Sequence, residues 1–166
     1  MDGPFSVAPL DLNSDRSEFS CGVEPLDRYF KTQVGQDIKR RVTACFTAVD
    51  PQGRVAGFYT LASASILLTD LPGTLAKKLP RYPNVPAVRM GRLAVDQAFK
   101  GRGLGAALLA DALRRAATAE IAAYAFVVDA KDGHAADFYA HHGFHAALGN
   151  PLLMYLPLAT AKGLIK

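Results

Sequence analysis

Residues 92–106 read Arg92-Leu-Ala-Val-Asp-Gln-Ala-Phe-Lys-Gly-Arg-Gly-Leu-Gly-Ala106 (RLAVDQAFKGRGLGA). The short apolar run Leu93, Ala94, Val95 has the character of a strand end. A basic, glycine-dense turn follows, Lys100, Gly101, Arg102, Gly103, Leu104, Gly105, and an alanine- and leucine-rich helix begins at once. Glycine allows a tight turn and a close approach of backbone N–H groups to a ligand. A helix N-terminus adds unpaired donors and the positive end of a dipole. With Lys100 and Arg102 supplying full charges, the stretch is suited to a phosphate or pyrophosphate.

Gly101-x-Gly103-x-x-Ala106 also fits the dinucleotide fingerprint G-x-G-x-x-G/A, with Asp129 at a strand end downstream. Its context is wrong. Five residues separate Val95 from Gly101, whereas the fingerprint follows its strand directly, and only 37 residues remain after Asp129 to complete a doubly wound sheet. No G-x-x-x-x-G-K-[ST] is present, which argues against a P-loop NTPase. A purely structural glycine turn leaves the two flanking cations unexplained.

Outward from this stretch the charge is uneven. Residues 71–110 hold seven basic side chains (Lys77, Lys78, Arg81, Arg89, Arg92, Lys100, Arg102) and one acid, Asp96, while the remainder of the +4 chain is mildly acidic. A positive segment on such a body points to an anionic ligand or nucleic acid; a solvated basic loop is the plain alternative. The 166 residues suit one domain, 1–166, able to bury a proper core. The longest apolar run, Ile121–Val128, has eight residues, too few for a membrane span. The N-terminus carries early acids and no long apolar core, unlike a signal peptide. Two cysteines do not make a disulfide framework, so the expected setting is intracellular.

Periodicity and punctuation supply the elements. A helix is expected from Leu26 to about Gln36, with Leu26, Tyr29, Phe30 and Val34 on its apolar face. Val42–Val49 and Arg54–Ala64 read as antiparallel strands about the turn Asp50-Pro-Gln-Gly. Leu71–Pro80 holds at most a short helix, and Pro80, Pro83 and Pro86 keep the next stretch extended. Val88–Val95 is a strand and Gly103–Thr118 a helix with a stripe at Leu108, Leu109, Ala112, Leu113 and Ala116. Ala122–Val128 is a buried strand. Asp132 caps a short helix through His142, Gly143 stops it, and Leu152–Leu156 forms a last strand. This order makes the class α/β (α+β), with a mixed sheet flanked by helices.

Lys100-Gly-Arg-Gly-Leu-Gly after Arg92-Leu-Ala-Val-Asp resembles the acetyl-CoA motif [QR]-x-x-G-x-[GA] of the GNAT N-acetyltransferases. Ala135-x-x-Phe138-Tyr139-x-x-x-Gly143-Phe144, one helix and one strand later, resembles that family's second motif. Lys100 stands where the family has Gln or Arg, a position contacted mostly through backbone. The resemblance extends to the toxin branch of type II toxin–antitoxin modules, whose members acetylate aminoacyl-tRNA. It is carried by Phe19-x-Cys21-Gly22 with Leu26-Asp27, by Gly57-Phe58-Tyr59-x-Leu61, by the approach from Pro86 to Arg92, and by the closing strand after His142-Gly143-Phe144.

The resemblance implies a GNAT fold in which the strand ending at Val95 and the next parallel strand splay apart. It implies that pantetheine of acetyl-CoA lies along Leu93, Ala94 and Val95, and that the pyrophosphate sits on the amides of Lys100 to Ala106. Asp132 and Phe138 fall to the cofactor side. It also implies a cytoplasmic toxin that blocks translation, is often a homodimer and is paired with a ribbon–helix–helix antitoxin. Transfer to an amine needs a neutral nucleophile and a proton for the leaving thiolate. An α-amine of pKa about 7.7–8.0 is partly neutral unaided, and a tyrosine can serve as the acid. Tyr139 is that candidate, weighed against a core aromatic beside Phe138. Arg92, Arg89, Lys77, Lys78 and Arg81 are the candidates for tRNA phosphates.

Other residues invite plainer readings. His141, His142 and His145 lack a carboxylate or cysteine set and read as surface histidines, so no metal is expected. Cys21 and Cys45 read as small buried hydrophobes, Asp132 and Asp137 as a cap and a solvated face. Acetylation of a small amine or a protein N-terminus, and a non-catalytic acyl-CoA-binding module, remain open alternatives.

Overall fold

The structure is a computed structural model that describes residues 5–164; Met1–Pro4 and Ile165–Lys166, the ends of the expected 1–166 domain, lie outside the described residues. Along the chain come β1 (Ser6–Pro9), α1 (Glu24–Thr32), α2 (Val34–Lys39), β2 (Ala44–Val49), β3 (Val55–Leu67), α3 (Gly73–Ala76), β4 (Asn84–Val95), α4 (Leu104–Thr118), β5 (Ala125–Asp129), α5 (Gly133–His141), β6 (His145–Ala147), β7 (Asn150–Pro157) and α6 (Leu158–Leu164), with 3-10 turns at Leu68–Asp70 and Gln97–Phe99. The strands hydrogen-bond in the order β1-β2-β3-β4-β5-β7-β6. β2 and β3 pair antiparallel, as do β5 and β7. β4 and β5 pair parallel from Ala87↔Ala125 to Met90↔Val128, and β4 itself continues to Val95. The mixed sheet flanked by helices is the expected class.

Two compact units divide the chain. The first takes the residues up to Ala62 together with Gly91–Ala112; the second takes Ser63–Met90 together with the residues from Leu113 onward. The core of the first gathers Phe19, Cys21, Tyr29, Phe30, Cys45 and Phe58, with the Phe30 and Phe58 rings stacked 4.2 Å apart. That of the second gathers Ile66, Leu71, Val85, Ala87, Ala125, Val127 and Tyr155. β5 has four successive buried residues, Ala125–Val128, the continuous apolar pattern of a strand covered on both faces.

The expected α4 stripe is correct: Leu108, Leu109, Ala112, Leu113 and Ala116 are all buried. The single expected helix over Leu26–Gln36 is instead two. α1 starts earlier, at a proline in its first turn, and Gln33 leaves helical geometry before α2 begins. Thr32, Val34 and Gly35, none a strong helix former, surround that break. β1, β6 and α6 were not expected. β1 and β6 are three or four residues long at opposite ends of the sheet order, too short to show a period.

Candidate active site

The glycine loop belongs to the first unit. Gly101 and Gly103 have φ of 81° and 76°. The Ala107 N–H donates to the Gly103 carbonyl at 3.1 Å, making this the first bond of α4. The amides of Leu104, Gly105 and Ala106 therefore lie in the first turn, where no intrahelical acceptor exists. A Cβ added at Gly101 or Gly103 would meet nothing within 4 Å. The two glycines are thus required by backbone conformation, and the space above them is open to a ligand. Free donors, a helix dipole and the exposed Arg102 fit a pyrophosphate.

Several contacts fix the loop, and most were not foreseen. The buried Asp96, directly after β4, accepts from the Ala98 N–H at 2.9 Å and from the Ser20 N–H at 3.0 Å, and pairs with Arg54 at 3.4 Å. The Lys100 ammonium donates to the Cys21 carbonyl at 2.8 Å, and the Cys21 N–H donates to Asp27 at 2.8 Å. Phe19-x-Cys21-Gly22 with Leu26-Asp27 is therefore a buttress behind the loop, and the charge of Lys100 is spent on it. The Arg102 guanidinium lies 5.5 Å from the Phe99 ring centroid. Asp96 had a legible signal: it is the one acid among the residues 71–110.

Of the strand residues expected along pantetheine, Ala94 is buried, while Leu93 and Val95 are half-buried. A Cβ on Gly57 would come within 2.8 Å of Leu108 and 2.9 Å of the Ala94 carbonyl oxygen. Gly57 is what lets β3 lie this close to β4 and α4.

Tyr139 lies on α5, in the second unit, with Asp132 and Phe138. Asp132 is the N-cap, accepting from the Ala135 N–H at 2.9 Å, and Gly143 follows the helix at φ 93°. The half-buried Tyr139 ring packs against Phe138 and Phe144 at centroid distances of 5.2 and 5.5 Å. Among the described residues its hydroxyl has no hydrogen-bond partner. Burial pushes the phenol up to about 12, so it holds its proton throughout the neutral range. His142 is pushed down by burial and by its neighbour His141. Among the described residues no group of three His, Cys, Asp or Glu side chains could hold a metal ion, and no helix is long and apolar enough to cross a membrane.

The basic candidates divide. Lys77, Lys78 and Arg81 are exposed around the C-terminus of α3 in the second unit. Arg89, in the same unit, pairs with Asp129 at 3.4 Å, though its Nε is not aligned for a hydrogen bond. Arg92 belongs to the first unit, its guanidinium 3.4 Å from the centroid of the Tyr29 ring. The Tyr29 hydroxyl donates to Asp37 at 2.8 Å. Burial, and then the Asp37 contact, raise the Tyr29 pKa. The cysteines are buried, and burial raises both thiols, Cys45 to about 12.

Comparison with known proteins identifies the family. Residues 79–153 match the model of the acetyltransferase (GNAT) domain. The chain is 37% identical over 167 residues to the tRNA-acetylating toxin of Mycobacterium tuberculosis (strain ATCC 25618 / H37Rv), covering 99% of each. It superposes with a TM-score of 0.90 on AtaT complexed with acetyl-methionyl-tRNAfMet, at 28% identity over 98% of this chain and 99% of that one. With AtaTR bound with acetyl-CoA the TM-score is 0.84, at 27% identity and the same coverage. The chain belongs to the GNAT acetyltransferases, within the family of the tRNA-acetylating toxins.

Proposed function

We propose that this protein moves the acetyl group of acetyl-CoA onto the α-amino group of an aminoacyl-tRNA and so acts as a toxin that blocks translation. The observation that carries this is the end-to-end likeness to the M. tuberculosis toxin, 37% identical over 99% of this chain. The open glycine loop agrees with it. The amides of Lys100 to Ala106 and the Arg102 guanidinium take the pyrophosphate, the backbone of Leu93, Ala94 and Val95 lines pantetheine, and Asp132 and Phe138 support the α5 side.

The neutral amine attacks the thioester carbonyl carbon; a C–N bond forms, the C–S bond breaks, the nitrogen loses a proton and the departing sulfur gains one. Tyr139 serves as the donor to that sulfur. A phenol at about 12 is a weaker acid than a thiol at about 8.5. Its contribution is a hydrogen bond to sulfur as negative charge develops, strong because the site is desolvated, with the proton shed by nitrogen completing the balance. Arg92, Arg89, Lys77, Lys78 and Arg81 meet tRNA phosphates. The protein works in the cytoplasm as a homodimer held by a ribbon–helix–helix antitoxin, and all 166 residues form the one catalytic domain.

Incubation with labelled acetyl-CoA and total charged tRNA, followed by mass spectrometry of the released aminoacyl esters, tests the reading. Label on the α-amine of ester-linked amino acids is expected. Label only on small amines or protein N-termini would overturn it. Light scattering tests the dimer.

A further inference from the structure

A second basic feature lies outside residues 71–110. α2 ends at Lys39, Arg40 is its C-cap, and Arg41 follows with φ 59°, the only non-glycine residue at positive φ among those described. The Arg41 N–H donates to the Ile38 carbonyl at 3.0 Å and the Val42 N–H to the Asp37 carbonyl at 3.1 Å. These are the two bonds of a Schellman motif, whose left-handed position ordinarily belongs to glycine. An L side chain there is strained, and strain retained at an exposed position calls for a reason.

Lys39, Arg40 and Arg41 are all exposed, and no ion pair joins any of them to another described residue. The carboxylates of α1 and α2 are engaged elsewhere: Glu24 with Arg28, Asp27 with the Cys21 amide, Asp37 with the Tyr29 hydroxyl. A cation near a helix C-terminus offsets the dipole, but Lys39 and Arg40 already do so, which leaves Arg41 unaccounted for. The turn is also joined to Arg92: Asp37, whose carbonyl closes it, holds the Tyr29 hydroxyl, and the Arg92 guanidinium stacks on that ring.

We propose that Lys39-Arg40-Arg41 is a contact site for the sugar-phosphate backbone of the tRNA substrate, with Arg41 held in its left-handed conformation to aim a guanidinium outward. This rests on the function proposed above. The test is the affinity of the full chain for deacylated tRNA, by fluorescence anisotropy between about 50 and 300 mM salt, where the slope of log K against log salt reports how many phosphates the protein neutralises. At about 0.15 M salt each phosphate left without its cation weakens binding about five-fold, so Arg41→Gly binds more weakly by about that factor while its melting temperature rises. The triple variant Lys39→Gln, Arg40→Gln, Arg41→Gly binds about one hundred-fold more weakly and flattens the slope by about two to three. Arg28→Gln, which removes a cation already paired with Glu24, serves as the surface-charge control. A triple variant that still binds acetyl-CoA yet keeps the wild-type slope, or weakens no more than Arg28→Gln, overturns the proposal. Failure of the functional reading is distinguishable, because it appears as wild-type protein that leaves charged tRNA unacetylated, whereas this measurement needs no turnover.

Discussion

Gly57 and Gly103 are the same residue put to opposite uses. A side chain on Gly57 would enter the space of Leu108 and the Ala94 carbonyl oxygen, at 2.8 and 2.9 Å; one on Gly103 would meet nothing within 4 Å. The first glycine is filled around, the second is left open. Tyr29 and Tyr139 repeat the contrast. The Tyr29 hydroxyl is bound to Asp37 and its ring is covered by Arg92, while the Tyr139 hydroxyl has no partner among the described residues. Where the fold satisfies a group, that group holds the structure; where the fold prepares a group and leaves it unsatisfied, something else is meant to complete it.

The largest expected effect breaks the contrast at its unsatisfied member. Tyr139→Phe keeps the ring against Phe138 and Phe144 and removes only the free hydroxyl. We expect kcat to fall about 10²–10³-fold, the usual worth of one preorganised hydrogen-bond donor to developing charge, with acetyl-CoA affinity and melting temperature unchanged; equal turnover would exclude Tyr139 from the chemistry. Because its phenol stays protonated to about 12, the wild-type profile should rise through the amine pKa of about 8 and show no descending limb before about pH 11. Next in size is Gly57→Val, which forces β3 away from β4 and α4 and should cost about 3 kcal/mol or more, read by denaturant unfolding. Stability within about 0.5 kcal/mol of wild type would mean that β3 tolerates the displacement.

Much of this was legible because it depends on local chemistry. The α4 stripe, the Asp132 cap and the Gly143 stop follow from spacing and residue type, and two motifs in one order led to the family. What escaped depends on distant partners. Asp96 stands out as a solitary acid in sequence, but only folding shows that it holds Ser20 and Arg54, far away along the chain. Lys100 reads as a phosphate ligand until Cys21 is found beside it. Gly57 looks like any strand glycine until α4 packs on it. Arg92 is legible in sequence by its charge, but its stacking on Tyr29 carries no signature at any fixed spacing.

Gly103→Val sharpens the glycine comparison. A β-branched residue at φ 76° should cost about 1–2 kcal/mol of stability, less than at Gly57. It should also weaken acetyl-CoA binding about ten-fold or more, equal to about 1.4 kcal/mol, by crowding the open donors. Titration calorimetry reads the affinity, and wild-type affinity would remove the loop from the cofactor site.

Tyr29→Phe is the smallest effect and the strictest check on the tyrosines. It keeps the ring under Arg92 and deletes the bond to Asp37, so we expect a loss of about 1 kcal/mol, with kcat unchanged when tRNA is saturating. The pH dependence fixes the cause. The folded Tyr29 pKa is raised above its unfolded value of about 10, first by burial and then by Asp37. A group shifted in that direction contributes its full stability below the unfolded pKa and loses it as pH rises toward the folded one. The difference between wild type and Tyr29→Phe should therefore be flat from about pH 6 to 9 and shrink above about 10. A difference that persists unchanged above that range would place the loss in packing of the ring, and Tyr29 would no longer stand as the satisfied counterpart of Tyr139.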